Sequence, residues 1–476
     1  MSAADGPLLD AFAQVVGPAN VVDPETAARD GHFTDWRKLV HGRGRALVRP
    51  GSTEEVAALV RICAGLGVPI VPQGGNTGQV AGGVPDPSGR AIVLSLARMA
   101  RIRAVDPAND TITVEAGCVL QAVQDAARAA GRLFPLSLGA EGSCTIGGNL
   151  ATNAGGTQVL RYGNARELTL GLEVVLADGE IWSGLRGLRK DNSGYDLRDL
   201  FVGSEGTLGI ITAATLRLFP LPRSRVTALA SLGSIEAAGS LLARCRTGFD
   251  AALTAFELIS GPCLRLVAST FPDLPAAMLG ATEAPWYVLV ERSGPDDEES
   301  AHGQVEAVLE AAFVASEVSD ATLARSLAQS RGLWRLRESI TLALAADGKC
   351  LKHDISLPVS AMTAFVEPMQ EELSGRFPGV RPFIFGHLGD GNLHYNIAHP
   401  LDDPERLQTV APDLSRLVHD AVDALGGSIS AEQGIGRVRA HELGRYKTAV
   451  ELRLMRSLKA ALDPDSILNP GVLLPP

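Results

Sequence analysis

Two histidines, His387 and His394, flank Gly389-Asp390-Gly391-Asn392 in the run PFIFGHLGDGNLHYNIA that begins at Pro382. Imidazole is a frequent nitrogen ligand for transition metals, and two held close together can share one ion. The residues between them carry a turn signal. Asp-Gly favours a two-residue type I′ hairpin, because both central positions need positive φ. With Asp390 and Gly391 as that turn, His387 lies directly opposite His394, and Phe385 opposite Asn396, on one face of the ribbon. Directly opposed residues hold their Cβ atoms about 4.5–5.5 Å apart, which suits a shared ion. A structural turn with hydrogen-bonded histidines is the plainer alternative, and a third ligand decides between the two.

A second group of residues suits acid recognition. Around Gly332-Leu333-Trp334-Arg335-Leu336-Arg337-Glu338, helical spacing puts Trp334, Arg337 or Glu338, and Thr341 on one face. An arginine and a threonine one turn apart can grip a carboxylate, the guanidinium giving the bidentate part; a surface i,i+4 pair is the alternative. Downstream, Cys350, Lys352, Asp354 and Ser356 alternate with Leu351, His353, Ile355 and Leu357, as in a half-buried strand.

Glycine clusters in two loops of the first half. One is Pro72-Gln73-Gly74-Gly75-Asn76-Thr77-Gly78-Gln79, continuing to Gly82-Gly83; the other is Gly142-Ser143-Cys144-Thr145-Ile146-Gly147-Gly148-Asn149, followed by Thr152-Asn153-Ala154-Gly155-Gly156. Such segments turn successive backbone N–H groups toward an anion with little steric bulk, as a diphosphate requires. Neither a G-x-G-x-x-G fingerprint after an N-terminal strand nor a G-x-x-x-x-G-K-[S/T] loop occurs, so Rossmann and P-loop sites are unsupported.

The elements that must hold these groups point to an α+β protein of several domains. At 476 residues the chain exceeds one simple core. Short strands are expected at 46–50, 68–72, 91–96, 111–115, 170–176 and 209–219, with helices at Leu8–Val16, Val56–Leu66 (capped by Ser52 to Glu55) and Leu120–Ala130. The Pro-rich run Leu218 to Arg223 marks a boundary. Beyond it, helical patterns recur at 234–245, 304–315 and 321–346, strands at 286–291 and 350–358, and helix again from Glu405. The domains expected are 1–44, a helical segment; 45–222; 223–420; and 421–476. A net charge of −11 argues against non-specific nucleic-acid binding and leaves room for a local basic pocket. Six cysteines without a CxxC pair, no basic leader and no long apolar run lead to the expectation of a soluble, cytoplasmic protein with no transmembrane segment.

The two loops, together with Gly203-Ser204-Glu205-Gly206-Thr207-Leu208-Gly209-Ile210, resemble the FAD-binding domain of the vanillyl-alcohol oxidase / p-cresol methylhydroxylase type. The C-terminal half resembles the FAD-linked oxidase cap of D-2-hydroxy-acid dehydrogenases, and the match runs from about residue 45 to the end. The resemblance implies a two-lobed FAD-binding domain, an α+β cap with an antiparallel sheet, and a C-terminal segment returning to the flavin. It places the pyrophosphate on the first loop and the flavin along Ser143 to Asn149 and Ala154 to Gly156. Glu205, Gly206 and Ile210 become adenine-side and ribityl contacts, and Asn469 a flavin contact. Asn76 and Thr77 stand where covalently flavinylated relatives often carry histidine, so non-covalent FAD is expected.

By the same resemblance Arg337, Thr341, Lys352 and Asn396 hold the substrate's acid groups, and Glu432 joins His387 and His394 as third ligand of a divalent metal: zinc first, manganese or iron also suited. Two cations and a metal favour D-2-hydroxyglutarate, oxidised to the 2-oxo acid by hydride transfer to flavin N5. D-lactate and glycolate are alternative substrates; a non-redox transferase on the same scaffold, or a flavin-binding subunit with little activity, are alternative roles. The acceptor would be an electron-transfer flavoprotein, a quinone or a cytochrome, and the assembly a homodimer. One departure stands out. Family members usually carry histidine after the ligand glutamate, as the base for the substrate hydroxyl; this chain has Gln433. An amide does not titrate near neutral pH. Either the activity differs, or a metal lowers the pKa of the hydroxyl enough to release its proton.

Overall fold

The structure is a computed structural model that describes residues 6–274, 283–400 and 405–475. The chain forms two compact units: Met1–Gly155 with Gly163–Leu221 and Glu432–Pro476, and Gly156–Tyr162 with Pro222–Ala431.

The first unit contains a four-stranded sheet and a five-stranded sheet. In the first sheet Ile70–Gln73 and Leu47–Val48 both run parallel to Ile92–Ser95, and Leu468 bridges to Ile70 on the outer edge. The helix Thr53–Leu66 packs behind it. It begins where the Ser52 side chain accepts the Glu55 N–H and ends at Gly67, whose φ of 61° suits a residue without Cβ. Its inner face, Val56, Leu59, Val60 and Cys63, shares one core with Leu8, Phe12 and Val16. The N-terminal residues expected to form a segment of their own therefore lie inside this unit. The five-stranded sheet is antiparallel throughout, with Ile210–Arg217 at its centre.

The second unit is built on a seven-stranded antiparallel sheet. Its spatial order is Asp320–Leu323, Ser224–Leu232, Trp286–Gly294, Leu253–Ser260, Arg381–His387, Asn392–Ala398 and Cys350–Ser356. Helices cover both faces. Phe256, Leu258, Val288, Val290, Ile384 and Tyr395 belong to a core with residues of Ile235–Phe249, Glu298–Val314, Met362–Arg376 and Arg406–Ala424. Leu229, Ile259, Tyr287, Leu289, Phe383 and Phe385 share a second core with residues of Gly261–Thr270, Leu327–Glu338 and Ile340–Asp347. Double coverage explains why Leu253–Ser260 and Trp286–Gly294 are buried at every position.

Two local expectations fail. The pattern over 321–346 opens as the strand Asp320–Leu323, paired with Ser231 to Ala228, and its helix is interrupted at Ser339. The hairpin pairs Phe385 with His394 and Phe383 with Asn396, two residues out of the expected register. The chain reverses over Leu388–Gly391 rather than Asp390-Gly391 alone. Leu388 is 1% exposed, buried in the core, and the Asp390 carboxylate accepts the Asn392 N–H at 3.1 Å. Gly391, at φ 89°, passes so close to the Leu357 carbonyl that a Cβ would meet it at 2.3 Å.

Candidate active site

A register shift of two preserves the face on which each strand residue lies, so His387 and His394 still share one, as diagonal neighbours. Their rings lie 5.6 Å apart, nearly perpendicular. Glu432 is the next residue after Ala431, whose N–H donates to the Asp354 carbonyl on the neighbouring strand at 3.1 Å. One ligand atom each from His387, His394 and Glu432 lies within 4.8 Å of the others, the only such group of three metal-ligating side chains among the described residues.

The donor set fits a metal. Two nitrogen ligands and a carboxylate leave positions open, as in catalytic rather than structural sites. Each histidine also has a carboxylate behind it. Glu257 accepts from His387 Nδ1 at 2.6 Å, and Asp354 Oδ1 lies 3.4 Å from His394 Nδ1. Such partners orient ligating imidazoles and fix their tautomer. Asp354 is itself held by the Asn392 side-chain amide at 2.9 Å.

Glu257 also takes Arg337, whose Nε and Nη2 each lie 2.8 Å from Oε2. The guanidinium lies over the Phe385 ring, 4.8 Å from its centroid. Burial alone would raise the Glu257 carboxyl, but His387 and Arg337 and their hydrogen bonds outweigh it and hold it at about 2. Lys352 pairs with Asn396 across the adjacent strands, and Asn396 is two residues beyond His394 on the same face. Thr341 lies in the helix that restarts at Ile340. One continuous helical face therefore does not carry Trp334, Arg337 and Thr341. Instead the Trp334 indole N–H donates to Glu291 at 2.7 Å. His353 faces the other way: its ring bonds the Tyr395 carbonyl and the Ser415 hydroxyl, both at 3.0 Å.

Glu257 carried no expectation from the sequence. The one available signal was an acid in the middle of the apolar run Leu253 to Ser260, since a buried charge requires partners.

In the first unit, a cavity brings the glycine loops together. Pro72, Gln73, Gly74, Gly75, Asn76, Thr77 and Gly78 line it with Gly147, Gly148 and Asn149, and with Glu205, Gly206, Gly209 and Ile210. Thr145 also lines it, and Val80, Ala81, Leu96, Ala151, Thr152, Ile211 and Gln433 are added to the expected set. Gln79, Gly142, Ser143, Cys144, Ile146, Asn153, Ala154, Gly155, Gly156 and Asn469 are not among its lining residues. Cys144 and Ile146 are buried, and Asn469 ties the wall from behind, its amide donating to the Gly82 and Glu205 carbonyls at 2.8 Å. Several lining side chains are spent on the protein itself. Asn76 donates to the Gly31 and Thr34 carbonyls, and Gln73 to those of His32 and Gly83. Glu205 accepts the N–H groups of Ile435 and Gly436, at 2.9 and 2.8 Å. The Thr145 hydroxyl on the wall is buried without a hydrogen-bond partner, as a ligand-facing donor would be. A wall of glycine backbone with such a hydroxyl suits a large phosphorylated cofactor.

Comparison with known proteins gives two domain matches. The FAD linked oxidase C-terminal domain matches residues 221–473, and an FAD binding domain matches residues 44–184. The chain is 39% identical over 474 residues to the mitochondrial D-2-hydroxyglutarate dehydrogenase of Danio rerio, covering 98% of this chain and 85% of that one. It is 41% identical to the D-2-hydroxyglutarate dehydrogenase of Xanthomonas citri pv. viticola, covering 96% and 94%. The solved structure of p-cresol methylhydroxylase with substrate bound superposes with a TM-score of 0.77 at 15% identity, over 100% of this chain and 98% of that one. That likeness shows the fold, the α+β architecture of the vanillyl-alcohol oxidase type. The cytoplasmic expectation is overturned: relatives from Danio rerio, Bos taurus, Rattus norvegicus and Arabidopsis thaliana are named mitochondrial. Reduced cysteines do not separate one reducing compartment from another. Among the described residues no helix is long and apolar enough to cross a membrane.

Proposed function

The chain belongs to the FAD-linked oxidase family, and from that membership we propose that it is an FAD-dependent dehydrogenase oxidising D-2-hydroxyglutarate to the 2-oxo acid. The observation that carries this reading is the face shared by His387, His394 and Arg337, with Glu432 beside the histidines. When bound, FAD would supply the acceptor for the hydride that leaves C2 of the substrate, and a divalent metal, zinc by preference, would supply a Lewis acid.

The side chains do the rest. Arg337, fixed by Glu257 and Phe385, presents its remaining N–H groups to a carboxylate. Lys352, Thr341 and Asn396 add polar contacts suited to the second acid group. His387, His394 and Glu432 would hold the metal, and the glycine loops the cofactor, non-covalently. Gln433 on the cavity wall cannot take a proton near neutral pH. An electron-transfer flavoprotein, a quinone or a cytochrome would complete the turnover.

Anaerobic stopped-flow mixing with D-2-hydroxyglutarate, D-lactate, glycolate and D-malate, with and without chelator, tests the reading. D-2-hydroxyglutarate should bleach the flavin band fastest, and chelation should slow it. If none of the four reduces the flavin with metal restored, the dehydrogenase reading fails.

A further inference from the structure

We propose that Glu257 is a positioning residue that couples the metal ligand His387 to the acid-binding Arg337, so that one buried carboxylate sets both ends of the substrate site. The proposal rests on the dehydrogenase reading above and assigns a role within it.

Glu257 lies on the strand Leu253–Ser260, directly across from His387, and is fully buried. Its two oxygens are divided between two partners: Oε1 takes His387 Nδ1 at 2.6 Å, and Oε2 takes Arg337 Nε and Nη2 at 2.8 Å. Accepting from Nδ1 requires the proton there, which leaves the Nε2 lone pair for a metal. Taking the Nε edge of Arg337 leaves three of its five N–H donors for a ligand carboxylate. Phe385 under the guanidinium closes another side, so the free donors point one way. Asp354 is the natural comparison, because it lies behind His394 and is held by Asn392.

A carboxylate that served only to neutralise Arg337 would affect stability alone. Coupling predicts two losses in Glu257→Gln that Asp354→Asn separates. Metal per chain after dialysis should fall in both variants, with affinity down about 10–100-fold. Binding of D-2-hydroxyglutarate to metal-free protein should weaken about tenfold or more in Glu257→Gln, the scale of one charge-assisted hydrogen bond, and stay unchanged in Asp354→Asn. Folded Glu257→Gln with normal metal content and normal metal-free binding overturns the proposal. Glu257→Asp, too short to reach both partners, is read the same way if the amide variant does not fold; failure of both to fold assigns Glu257 to the core and also overturns it. Wild-type protein that holds no metal and binds no D-2-hydroxyglutarate removes the dehydrogenase reading itself, and the proposal with it.

Discussion

Glu205 Oε1 accepts the backbone N–H of Ile435 at 2.9 Å, across 230 positions of sequence. Glu205 sits at φ 53°, a left-handed conformation that side chains seldom adopt and that costs about 1–3 kcal/mol. Burial pushes its carboxyl up to about 7, against the N–H groups of Ile435 and Gly436 and the charge of Arg439. A carboxyl raised in the folded state stabilises most when protonated. Its contribution is complete below the ordinary value of 4.5 and is lost as pH rises through about 7. The thermal midpoint of the wild type should therefore fall across that window relative to Glu205→Gln. Parallel pH profiles for the two proteins would refute this.

His387→Ala should lose the metal and keep the flavin. Removing one of three ligands takes stoichiometric metal to a small fraction, while the cofactor loops are untouched. Metal analysis beside flavin absorbance checks both. Retained metal would rule out the His387, His394 and Glu432 site.

Gly75→Ala should weaken flavin retention. A Cβ there would meet the Ser143 carbonyl oxygen at 2.1 Å, backbone that cannot rotate away. The strain, about 1–3 kcal/mol, falls where the two glycine loops meet. Gly142→Ala is the contrast, since a Cβ at that position meets nothing within 4 Å. Flavin per chain after gel filtration should drop in the first variant only; equal retention in both would contradict the cradle.

Gln433→His tests the proton route. Wild type has no titrating group at that position, so a histidine should add an inflection near pH 6.5 to the rate of flavin reduction. An unchanged profile would mean that residue 433 handles no proton.

Much of the site was legible because its chemistry needs few residue types. Two histidines around a turn and glycine loops rich in Asn, Ser and Thr announce themselves. Register did not, since Asp-Gly is a local signal while the burial of Leu388 and the Asp390 side chain decided the turn. The run 321–346 was misread at its start because Ala-Thr-Leu suits strand and helix alike, and pairing with Ala228 to Ser231 settled it. Glu257 was illegible for a different reason: its partners lie 80 and 130 positions away.

Leu468 at the edge of the first sheet has a consequence for the order of events during synthesis. Ile70 donates its N–H to the Ile467 carbonyl and accepts from Asn469, so the last stretch of chain seals a sheet laid down by the first hundred residues. The Glu205 clasp closes on the same late segment. While the ribosome is still making residues 222–431, the early strands wait with an open edge and an unfinished cofactor wall. Capture of flavin should thus follow synthesis of that segment, and mutations that slow folding of the intervening unit should yield apoprotein before they yield aggregates.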